Sequence, residues 1–95
     1  MVARDLQNNA VSVSTAVTNL CDGSPNRTLV TFTNNGAVTV YLGGSNVSST
    51  AFIYPLPAGE WVQFTNDGGD AAPTGKWYAV TASSTASVAV GEAIR

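Results

Sequence analysis

Apolar side chains recur at every second position in short runs along this 95-residue chain, and most runs are cut off by Gly, Pro, Asn or Asp. An alternation of period two lays apolar groups on one face of an extended strand, whereas an amphipathic helix needs them three and four positions apart. Val11, Val13 and Val17 alternate with hydroxyl residues over 11–17, and Val30 and Phe32 alternate with Thr31 and Thr33 over 28–33. Val62 and Phe64 oppose Trp61 and Gln63 over 60–65, Tyr78 and Val80 oppose Trp77 and Ala79 over 76–82, and Val88 and Val90 share a face over 86–93. With shorter runs at 38–42 and 51–54, this predicts seven strands. No stretch keeps helical spacing, and the abundance of Thr, Ser and Val suits pleated backbone. The expected fold is all-β, an antiparallel β-sandwich or small jelly-roll-like barrel of about seven short strands.

The punctuation between runs suggests how they connect. Asn34-Asn35-Gly36 stands between two alternating runs, and Asn-Gly supplies the positive φ angles of a type I′ turn, which predicts a β-hairpin over 28–42. Residues 43–46 and 55–59 read as further turns, the second because Pro55 and Pro57 cannot donate to a central ladder. Residues 21–26 read as a loop and 66–75 as a long exposed one. Residues 1–9 are polar and without pattern. They are expected to form an N-terminal arm ahead of a single sandwich domain over 10–95.

Charge and cysteine content narrow the function. The chain has no histidine, which removes Ser-His, Cys-His and His-ligated metal chemistry within one chain. Four basic against six acidic residues lack the clustered cations that phosphate neutralisation requires, so no nucleic-acid partner is expected. Cys21 has no second cysteine to pair with, and the first residues lack the apolar core of a signal peptide, so synthesis in a reducing cytoplasm is expected. No apolar run reaches the roughly 20 residues of a membrane span, and no membrane partner is expected.

Few residues suggest a site. Asp67 and Asp70 flank Gly68-Gly69 and are oxygen donors of the kind Ca²⁺ takes, but their spacing is that of a solvated turn. Cys21 has Asp22 beside it, which disfavours a thiolate nucleophile. Alternation places Trp61 opposite Val62 and Phe64, and Trp77 opposite Tyr78 and Val80. Either tryptophan is then a core aromatic, an interface anchor or a platform for a sugar ring. Neither a catalytic group nor a cofactor or metal site is expected.

Three segments resemble small β-sandwich virion proteins of tailed bacteriophages. They are the run from Val30 through Asn34-Asn35-Gly36 to Val40-Tyr41-Leu42-Gly43-Gly44-Ser45, then Tyr54-Pro55-Leu56-Pro57-Ala58-Gly59-Glu60, then Trp77-Tyr78-Ala79-Val80-Thr81-Ala82. The resemblance covers residues 28–94 and leaves residues 1–27 unmatched. It implies a non-enzymatic capsid decoration, or cement, protein on the outer surface of the head, made in the host bacterium, binding the major capsid protein and forming a homotrimer. The partner contacts would then fall on Arg4, Asp5 and Leu6 of the arm and on Trp61 and Trp77. The alternative is a glycan-binding or structural module of a phage head fibre, neck or tail.

Overall fold

The computed structural model describes residues 5–65 and 75–94, and of Asp5 only the backbone. Eight strands follow one another: β1 (Asp5–Val13), β2 (Thr18–Cys21), β3 (Arg27–Asn34), β4 (Val40–Gly43), β5 (Tyr54–Leu56), β6 (Trp61–Thr65), β7 (Trp77–Thr81) and β8 (Ala86–Ile94). They form two four-stranded antiparallel sheets, in the orders β1-β8-β3-β6 and β2-β7-β4-β5. The expected all-β sandwich is the observed one. Its strand order is that of an eight-stranded jelly roll, in which β1 to β4 pair with β8 to β5 as one long hairpin rolled into two layers. The segment 44–53, between β4 and β5, is the closed end of that hairpin.

The core lies between the sheets and is filled by the alternate positions that the sequence marks as apolar. Val13, Val30, Phe32, Val88 and Val90 come from the first sheet and Leu20, Val40, Leu42, Leu56, Trp77 and Ala79 from the second. Ring contacts knit the middle. Phe64 stacks on Trp77 with centroids 4.9 Å apart, and Phe32 packs against both, at 5.2 Å from Trp77 and 6.4 Å from Phe64.

The strand expected at 51–54 runs instead over Tyr54–Leu56 on a sheet edge, with Pro55 opposite Tyr41 and not in a turn, and three larger expectations need correction. Residues 28–42 are not a hairpin. β3 pairs with β6 and β8 while β4 pairs with β5 and β7, so Asn34-Asn35-Gly36 carries the chain from one sheet to the other. Asn34 is fully buried there. Its Nδ2 donates to the Val38 carbonyl at 2.8 Å and the Leu56 carbonyl at 3.0 Å, and its Oδ1 accepts from the Gly36 amide at 2.8 Å. Glycine is required at 36 for closeness and not for a positive φ, because a Cβ would lie 2.4 Å from the Ala86 Cβ and 2.8 Å from its Cα.

The second correction concerns the N-terminus. β1 begins at Asp5, so residues 5–9 of the expected arm lie in a ladder with β8, held by backbone pairing that needs no side-chain pattern. Thirdly, the first run, expected to continue to Val17, breaks after Val13. Residues 18–21 form an eighth strand of their own, too short for its alternation to be read.

Candidate functional site

Among the described residues, the outer face of the first sheet carries no charged side chain. Strand register sets Ala10, Ala89, Thr33 and Trp61 side by side across β1, β8, β3 and β6. The next row is Asn8, Gly91, Thr31 and Gln63. Small residues on β8 keep the centre low. At Gly91 a Cβ would come within 2.7 Å of the Thr31 hydroxyl, so only glycine leaves the floor open there. The result is a shallow trough of about 530 Å³ over β1, β8 and β3, walled by Asn8, Thr31 and Thr33.

Trp61 stands one strand beyond, 63% exposed, directly across from Thr33. Its indole is a flat apolar plate with one N–H; Thr33 and Gln63 are its uncharged hydrogen-bonding neighbours on this face, Thr31 lies one row on, and Asn8 closes the far side of the trough three strands away. A ring plate edged by uncharged hydrogen-bonding groups suits a neutral polyhydroxylated ligand such as a sugar.

A second concavity has a structural explanation. β1 and β8, nine residues each, overhang the shorter strands of the second sheet, and beneath them lies a groove of about 510 Å³ lined by Gln7, Asn9, Asn19, Cys21, Asp22 and Glu92. Behind it Arg27 is buried. Its Nε donates to Glu92 Oε2 at 2.8 Å, its Nη1 to the Gly75 carbonyl at 3.0 Å, and its Nη2 to the Asp22 carbonyl and to Cys21 Sγ at 3.5 Å. One guanidinium fork thereby ties β3 and β8 to the segments after β2 and before β7. Burial pushes the Cys21 thiol above its ordinary value of 9.0, and the Arg27 charge beside it reverses only part of that rise. Cys21 is a neutral thiol at physiological pH.

The expected interface residues do not converge. Arg4 lies outside the described residues, as do Asp67 and Asp70. Asp5 opens β1 opposite Ile94, and Leu6 is 83% exposed at the corner of the first sheet farthest from Trp61. Trp77 is a correction. It is 4% exposed and part of the core, so it offers no contact surface. Its strand is apolar on both faces, because Val80 on the outer side is also buried, so alternation within β7 could not tell inside from outside. Among the described residues no three His, Cys, Asp or Glu side chains gather as metal ligands. Asn8, Thr31, Gln63 and Gly91 were not foreseen. Alternation turns each of them outward, but which strands lie side by side is a property of the topology.

No protein-family model matches the chain, and no curated protein resembles it in sequence. Among solved structures it is similar to the stem and receptor-binding domain of the spike protein P1 from bacteriophage PM2. The TM-score is 0.61 at 15% sequence identity, over 88% of this chain and 31% of that one. At that identity the two share a fold, and this chain spans under a third of the other's length.

Proposed function

We propose that this protein is a non-enzymatic module of a bacteriophage spike or fibre that binds glycan on the host surface, with Trp61 as the stacking platform. The observation that carries the reading is the exposed Trp61 indole beside an uncharged trough of hydroxyl and amide groups. The fold likeness to a phage spike's stem and receptor-binding domain supports the projecting location over the head shell. The two tryptophans make the test direct. Trp77 is buried and serves as an internal reference, so titration with host-envelope polysaccharides should give a saturable fluorescence change that Trp61→Ala abolishes. No saturable change with any of them overturns glycan binding. For location, antibody against the chain should mark spikes or fibres on intact particles. Label spread evenly over the head would instead favour a cement protein bound to the major capsid protein.

A further inference from the structure

A strand at a sheet edge presents unpaired backbone N–H and C=O groups that recruit another strand unless the edge is blunted. β2 has four residues, and its register with β7 shifts between Asn19 and Cys21. β5 has three, with Pro55 inside it and Pro57 just after, neither bearing an N–H. β6 has five, preceded by Glu60. β1 differs from all of them. It runs nine residues in unbroken register with β8, from Asp5 opposite Ile94 to Val13 opposite Ala86, without Lys, Pro or bulge. Its residues 6–10 are all exposed, and of their outward amides only that of Ala10 has a partner among the described residues, the neighbouring Asn9 Oδ1 at 2.9 Å, which an incoming strand would displace.

We propose that β1 pairs antiparallel with β1 of a second copy of this chain, with Asn8 on the two-fold axis, joining the two first sheets into one of eight strands. The occupant follows from the side chains. Centred on Asn8, the pairing sets Asn8 against its own copy, Gln7 against Asn9 and Leu6 against Ala10, so amide meets amide and apolar meets apolar on matching faces. The one charged residue, Asp5, falls opposite Val11, which keeps the two Asp5 positions about 20 Å apart at 3.4 Å per residue. A segment complementary to itself in this way makes a closed two-fold contact and leaves no free β1 edge to propagate.

Sedimentation of the full chain across a concentration series should show the mass rising from one chain to two and no further. Hydrogen exchange on the same samples should show every other β1 amide, those pointing away from β8, gaining protection in step with the mass. Asn8→Lys puts two ammonium groups face to face on the axis and should weaken pairing about tenfold or more. Leu6→Lys, away from the axis, should weaken it less. A chain that stays monomeric up to about 1 mM overturns the proposal. So does a trimer, and so does a dimer whose β1 amides exchange as in the monomer. The exchange pattern of the unmodified chain decides the matter even if a variant fails to fold.

Discussion

Arg27 shows how much one side chain can hold. Its charge is taken out of water and answered by Glu92, whose side chain is itself only 14% exposed, and by the carbonyls of Gly75 and Asp22. Removing one partner of such a pair leaves the other uncompensated, so Arg27→Met should cost about 3 kcal/mol in urea unfolding. Arg27→Lys should recover little of it, because an ammonium cannot reproduce the planar fork. Gly36 has a different constraint. Its Cβ would collide with Ala86 backbone and not with a movable side-chain tip, so Gly36→Ala should lower the melting temperature by several degrees although no positive φ is involved. Cys21 links stability to pH. Its folded pKa is raised, so above 9.0 the unfolded chain loses the thiol proton while the folded chain keeps it. Stability from this group is therefore complete below 9.0 and declines as pH rises past that value. Cys21→Ala should flatten the alkaline limb of the stability–pH curve, and the native thiol should react slowly with alkylating reagents.

Strands differ in how they are held, and that difference governs what could be read in advance. β3, β6 and β8 carry Val30 and Phe32, Val62 and Phe64, and Val88 and Val90 at alternate positions that point into the core, so burial itself writes their pattern. Residues 6–10 of β1 are all exposed. Ordering them costs about 1–2 kcal/mol of backbone entropy per residue, against about 0.5–1.5 kcal/mol net for each ladder hydrogen bond. Such a stretch leaves no trace in the sequence and is marginal in the isolated chain. In dilute monomer, amides of residues 6–10 should therefore exchange far faster than those of 11–13, which are anchored by buried Val13. Equal protection along β1 at low concentration would contradict this account. The hairpin expected at 34–36 failed for a related reason. Alternation on both sides of a turn is the same whether the flanking strands share a sheet or face each other across the core, and the deciding feature, the buried amide of Asn34, looks in sequence like ordinary turn chemistry. The candidate site was half legible in the same sense: the parity of Trp61 marks it as exposed, while its neighbours on β1, β3 and β8 become neighbours only through the rolled topology.

At the scale of the whole molecule, the two proposed surfaces lie at opposite edges of one sheet. Trp61 is on β6 and the pairing edge is β1, three strand spacings away. A two-fold axis perpendicular to the joined sheet turns both outer faces to the same side. The two Trp61 positions would then stand seven spacings apart across the sheet and four residues apart along it, about 36 Å at 4.8 Å per spacing and 3.4 Å per residue. A pair so arranged meets a glycan-coated surface with both platforms at once, and the second contact forms at the high effective concentration set by the first. Binding to immobilised polysaccharide should therefore exceed binding to a short soluble oligosaccharide by about 10²–10⁴-fold. The variant Leu6→Lys, at the corner of the sheet remote from Trp61, separates the contributions when it is assayed below the concentration at which sedimentation shows it to pair. It should reduce the surface affinity toward the single-site value while leaving the oligosaccharide affinity unchanged, as read by surface-based binding and by fluorescence titration. If surface affinity survives in a Leu6→Lys chain shown to be monomeric, the gain arises within one copy, and the trough beside Trp61 must itself span more than one sugar unit.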